Sequence, residues 1–170
     1  MSEPDELIDV LPQIGTCEWI GLSSRPRAEM TSVEEVVAEV GSGLTGDYHA
    51  VGRPTKREVT LIQAEHLTTV ASLMHLDAVP PEATRRNLVV RGINLLALQD
   101  RRFRVGEVVL EGAGDCPPCS RMEENLGEGG LNAMRGHGGI IARVITGGSL
   151  RRGDPVSMLA TAAREETTTG

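Results

Sequence analysis

The 170-residue sequence is 39% hydrophobic and 24% charged, long enough for one core and short for two, and its composition excludes a disordered or fibrous chain. Its aromatic side chains are Trp19, Tyr48 and Phe103, so the core must be aliphatic and a row of base-stacking aromatics is excluded. A net charge of −7 argues against nucleic acid as a partner, but residues 1–84 carry 5 basic and 14 acidic side chains while residues 85–155 carry 11 and 8, so the second half suits a small anionic ligand.

Residues 1–14 read as a flexible leader, and Thr16 to Leu22 as a first strand ended by Ser23-Ser24-Arg25-Pro26. Ser32 and Glu35 then have the spacing of a capping box, and Val33, Val36, Val37 and Val40 form one stripe at helical spacing. This predicts a helix stopped by Gly41 and Gly43, although the β-branched composition keeps a strand open. A polar loop at Gly46-Asp47-Tyr48-His49 leads to a short strand, Val59 to Ile62. A helix follows near Ala64 to Met74, its buried face marked by Leu67, Val70, Ala71 and Met74. After the break at Pro80-Pro81, strand-like runs recur at 88–90, 103–105, 108–111, 140–145 and 155–159, most of them separated by glycine-rich turns. The pattern predicts a mainly β (α+β) fold, barrel-like with a few short helices, over residues 15–159, with a disordered tail at 160–170.

No apolar run approaches the roughly 20 residues needed to cross a bilayer, and Met1-Ser2-Glu3-Pro4-Asp5-Glu6 is unlike the start of a signal peptide. A cytoplasmic location with no membrane partner is the expectation. Three cysteines, Cys17, Cys116 and Cys119, point to chemical or metal use of thiols rather than to a disulfide framework.

Cys116-Pro117-Pro118-Cys119 followed by Ser120-Arg121-Met122-Glu123-Glu124 reads as a strand end, a stiff turn and a helix start, a setting that favours thiolate. Three readings of the pair stand side by side. A thioredoxin-like dithiol would need the motif early in a βαβ frame. A structural zinc site would need two more ligands, whereas Cys17, His49 and His137 are scattered singly. The third reading is two buried small residues beside a proline turn.

Gly43-Leu44-Thr45-Gly46-Asp47-Tyr48-His49 contains a Gly-x-x-Gly-Asp-x-His pattern, and Arg57-Glu58-Val59-Thr60-Leu61-Ile62 an Arg-x-Val-(Ser/Thr)-Leu-Ile pattern with Glu65 after it. Then come Asn87-Leu88 with Gly92, the turn Phe103-Arg104-Val105-Gly106-Glu107, the dipeptide Pro118-Cys119, and a closing turn from Gly147 to Asp154. In this order, over about residues 15–158, the motifs resemble those of the MOSC domain family, named for the C-terminal domain of molybdenum cofactor sulfurase.

The resemblance implies a compact β-barrel-rich fold that binds the pterin molybdenum cofactor or carries activated sulfur as a Cys119 persulfide. Cys119 is then the reactive thiol and metal ligand, and Cys116 a second thiol. Arg57, Arg86 and Arg121 are candidates for the pterin phosphate, with Asp47, His49 and Asn87 beside them. Implied partners are a sulfur donor such as a cysteine desulfurase, or a redox partner, and the implied chemistry is sulfur transfer or molybdenum-dependent reduction with a separate electron donor. The chain shows neither an aminotransferase-like sulfurase domain, so pyridoxal phosphate is not expected on it, nor an iron–sulfur module, and Arg85-Arg86 stands where some relatives have Gly-Glu.

Each residue also has a plainer reading. A lone Arg is usually a surface or ion-paired group, Asp47 a turn brace, His49 and Asn87 satisfiers of buried backbone, and His137 an exposed loop residue or part of a lid. The competing functions are a dithiol redox or zinc-bound module built on Cys116 and Cys119 without pterin, and a non-catalytic binding domain.

Overall fold

A computed structural model describes residues 3–160. The elements in chain order are α1 (Pro4–Leu7), β1 (Gly15–Leu22), β2 (Thr31–Val33), β3 (Glu35–Glu39), β4 (Gly43–Leu44), β5 (Val59–Gln63), α2 (Ala64–Leu73), β6 (Leu88–Arg91), β7 (Arg102–Val105), β8 (Val108–Asp115), α3 (Ser120–Leu126), α4 (Gly130–Met134), β9 (Ile140–Thr146), β10 (Gly148–Arg151) and β11 (Pro155–Met158). In the leader, α1 carries no buried residue. Nearly all of the predicted tail lies outside the described residues.

The strands form a mixed β-barrel. The order β1-β6-β5-β9-β8-β7-β11 returns on itself where Gly15 and Thr16 of β1 pair with Val156 and Pro155 of β11. Every ladder in it is antiparallel except β5 with β6, whose crossover carries α2. That parallel pair needs a long connection, and the helix predicted at 64–74 supplies it. The far half of β1 also pairs with β2, and a smaller sheet of order β10-β3-β4 packs Val36, Ala38, Leu44 and Leu150 into the same core as the barrel interior.

Strand alternation sorts the apolar residues into two layers. Leu61, Leu88 and Val90 enter the interior cluster, whereas Ile62 and Val89 face outward into a second cluster with Leu67 and Val70 of α2, Met122 of α3 and Met134 of α4. Because β5 and β6 are buried on both faces, their sequences read as continuous apolar runs.

The helix predicted from Ser32 is instead the strand pair β2 and β3. Glu35, Val37 and Glu39 are exposed while Val36 and Ala38 are buried, a period of two. Two members of the helical stripe, Val37 and Val40, are 48% and 63% exposed, and Ser32 sits in the ladder opposite Gly21 rather than capping anything. The β-branched side chains suit the pleat better than a helix, which restricts their rotamers.

Candidate functional site

Strand β8 runs to Asp115 through a register shift between Gly112 and Gly114, and the next residue, Cys116, donates its backbone N–H to the carbonyl of Gly139 at 2.9 Å. Pro117 and Pro118 then carry the chain to Cys119, which immediately precedes α3. The two thiols are unequal. Cys116 is 1% exposed, whereas Cys119 is exposed, and both are free. Burial pushes the Cys116 thiol up, opposed by the charges of Arg86 and Arg57. The neighbouring backbone is packed tightly enough to require glycine. A Cβ on Gly138 would lie 2.2 Å from the Cys116 carbonyl oxygen, and one on Gly139 would lie 1.9 Å from that of Leu61.

Beneath the turn lies Arg86, which is 5% exposed. Its Nε donates to Gly138 at 2.8 Å, Nη1 to Thr84 at 3.1 Å, and Nη2 to the carbonyls of Cys116 and Pro117 at 3.1 and 3.3 Å. The planar fork thus ties the turn to the Gly138 loop and to its own strand lead-in. Burial pulls the guanidinium below its ordinary pKa, and the groups that act on its charge, Cys116, Arg57, Cys119 and Tyr48, identify what surrounds it.

Asp47 and Asn87 make the second part of the site. Asn87 Oδ1 accepts from the Thr60 backbone and hydroxyl at 3.0 and 3.1 Å, while Nδ2 donates to Gly21 at 3.0 Å and to Asp47 Oδ1 at 3.1 Å. Asp47 Oδ1 also accepts from Ser23 N–H, and Oδ2 accepts from the backbone and Nδ1 of His49 at 3.1 and 3.0 Å. Burial alone would raise the Asp47 pKa, but the side-chain bond from His49 and the backbone bonds from Ser23 and His49 hold it below the usual carboxylate value. An ionised Asp47 can only accept, so His49 Nδ1 carries the proton and Nε2 is left for another partner. The Tyr48 ring packs beside that imidazole, with centroids 4.0 Å apart.

The remaining candidates divide. Arg57 is exposed and makes no ion pair among the described residues. Arg121 pairs with Glu124 at 3.2 Å and lines a hollow with Trp19, Arg27, Arg85 and Asn125, not the surroundings of Arg86. Cys17 is fully buried in the barrel, its thiol pushed up to about 12 by burial. His137 is half-buried rather than exposed, and its Nδ1 bonds to the Ala133 carbonyl at 3.0 Å. Two features escape the sequence: the Tyr48 ring against His49, and the backbone clamp of Arg86. Only the adjacency of an aromatic and a histidine hints at the first, and nothing local signals the second.

The model of the MOSC domain matches residues 46–157. The chain belongs to the MOSC domain family. No curated protein matches it. Among solved structures, the YuaD protein of Bacillus subtilis is similar with a TM-score of 0.73 at 18% identity, covering 86% of this chain and 97% of that one. YiiM of Escherichia coli gives 0.64 at 18%, covering 86% and 71%, and YiiM of Geobacillus stearothermophilus gives 0.69 at 14%, covering 85% and 75%. At these identities the likeness is one of fold, and it agrees with the barrel of this MOSC domain. No helix among the described residues is long and apolar enough to cross a membrane.

Proposed function

We propose that this MOSC domain binds the pterin molybdenum cofactor or carries activated sulfur, with Cys119 as the working thiol. The observation that carries the reading is the inequality of the two thiols on one clamped turn, Cys119 exposed and Cys116 buried. The donor set fits the cofactor. A soft thiolate is a suitable metal ligand, and an exposed Arg57 without an ion pair can take a phosphate. Among the described residues no group of three His, Cys, Asp or Glu is placed to hold a metal ion, so a metal here needs further ligands from the cofactor, as a pterin dithiolate provides. When bound, that cofactor supplies a redox-active metal. In this reading Asp47 fixes the His49 tautomer so that Nε2 is offered to the ligand, and Arg86 and Asn87 position the two loops without touching it.

For sulfur carriage, the Cys119 thiolate attacks the terminal sulfur of a donor persulfide. A new S–S bond forms, the donor's S–S bond breaks, and the donor cysteine leaves as thiolate. Atoms and electrons balance without a further reductant.

Mass spectrometry of the intact protein, with and without reductant, together with metal and pterin analysis, tests the reading. Wild type and Cys17→Ser should carry reducible sulfur or cofactor, and Cys119→Ser should carry neither. Equal loading of Cys119→Ser overturns it. The dithiol alternative predicts instead a Cys116–Cys119 disulfide that protects both thiols from alkylation together. A zinc-bound module needs three or four protein ligands, and the described residues bring no such group together.

A further inference from the structure

A cavity of about 380 Å³ opens against the cysteine turn, lined by Cys116 but by none of Asp47, His49, Arg57, Asn87 or Cys119. Its apolar walls come from Leu95 and Leu96, from Pro117 and Pro118, and from Ile140. Four side chains with polar or charged ends also reach it, Gln63, His66, Asp115 and Arg135, and their hydrogen bonds separate them into two kinds.

Two are already committed. Gln63 donates through Nε2 to Ile93 at 2.7 Å and accepts at Oε1 from Leu95 N–H at 3.0 Å, so its amide builds the wall. Asp115 Oδ1 accepts from Gln99 Nε2 at 3.0 Å at the exposed rim. The other two are free. The His66 ring lines the cavity and makes no side-chain hydrogen bond, its Nδ1 lying buried away from the opening. Arg135 is exposed, makes no ion pair among the described residues, and has only a 3.5 Å contact to the neutral Asn132 side chain.

We propose that this cavity is a second ligand site, for a small apolar body bearing a carboxylate, which Arg135 pairs while the body packs against the His66 ring and the apolar wall. The volume and the mix of apolar wall with few polar groups are those of a small-molecule site. Burial, followed by the neighbouring His137, lowers the pKa of His66, which favours the neutral ring beside the apolar wall. The His137 ring stands edge-on to it, with centroids 5.1 Å apart, and limits its rotation. Since Cys116, Pro117 and Pro118 form both this wall and the link to Cys119, a ligand here sits against the thiol turn while staying clear of Asp47, His49, Arg57, Asn87 and Cys119.

NMR titration of the full chain with benzoate, followed at the histidine ring protons and leucine methyls, tests the proposal. Benzoate should give saturable shifts at His66, Leu95 and Leu96 and none at His49, and neutral benzamide should bind at least about 10-fold more weakly. Arg135→Gln should reduce benzoate to the benzamide level, and Leu96→Trp, at a side chain that is 53% exposed, should fill the cavity and abolish the shifts in a folded protein. Unsaturable shifts in wild type, or undiminished benzoate binding by Arg135→Gln, overturn the site. Cys119→Ser should bind benzoate as wild type does, so failure of the thiol reading and failure of this one are separately visible.

Discussion

Arg86 Nη2 donates to the carbonyl oxygen of Cys116 at 3.1 Å while Nε reaches Gly138 at 2.8 Å, so one buried cation joins the two segments that flank the reactive turn. Arg86→Ala would strand these carbonyls without their charged donor. The expected cost is about 3 kcal/mol in urea unfolding, with faster amide exchange at residues 116–120. Arg86→Lys should recover little of it, because one ammonium cannot reach carbonyls spread around a planar fork. A wild-type unfolding midpoint for the Lys variant would refute the clamp.

Asp47 sets a sign for pH dependence. Its folded pKa lies below the unfolded one, so its contribution is fully present above the unfolded value of about 3.9 and is lost as pH falls through the folded value. In Asp47→Asn that acid-dependent part should disappear, and the variant should also be less stable at pH 7 by about 2 kcal/mol, because an amide must present its NH₂ to donors from Ser23, Asn87 or His49. Urea midpoints of both proteins between pH 3 and 7 check this. A difference that grows toward low pH would contradict it.

The barrel strands were legible because alternation and glycine punctuation act locally, and α2 because Leu67, Val70 and Ala71 mark one buried face. The segment Thr31–Glu39 was not, since four valines at helical spacing and a capping-box pair satisfy one period while the strand ladder satisfies the other. Helix α4, with only Gly130, Ala133 and Met134 buried and no side-chain cap, carries too little periodicity to be seen. In the site, Pro118-Cys119 is visible as a dipeptide. The role of Arg86 is not, because the carbonyls it holds belong to residues 84, 116, 117 and 138, and a sequence displays a guanidinium without its partners.

The three thiols should differ in reactivity. In native protein at pH 8, iodoacetamide should label Cys119 first, because it alone of the three is exposed. Cys17, with its pKa near 12 and its place inside the barrel, should label only after unfolding, and Cys116 should lag Cys119 by roughly 100-fold or more. Peptide mass spectrometry over a time course reads the order. Comparable rates for Cys116 and Cys119 would mean that the turn opens far more readily than its hydrogen bonds imply.

Gly139 offers a way to separate backbone strain from collision at the same site. It has φ +86°, and an added Cβ would meet the Leu61 carbonyl oxygen at 1.9 Å, in the strand whose Leu61 pairs with Ile140. Its own carbonyl accepts from Cys116 N–H, so any displacement passes to the thiol turn. Gly136 has a similar φ of +82° with open space around it. Gly136→Ala should therefore show the left-handed penalty alone, about 1 kcal/mol. Gly139→Ala adds the clash and should lose about 3 kcal/mol or more, with Cys116 becoming measurably easier to alkylate. Urea unfolding of the two variants gives the comparison directly. If they lose equal stability, the approach of Leu61 to Gly139 does not constrain the turn, and the buried state of Cys116 must rest on Arg86 alone.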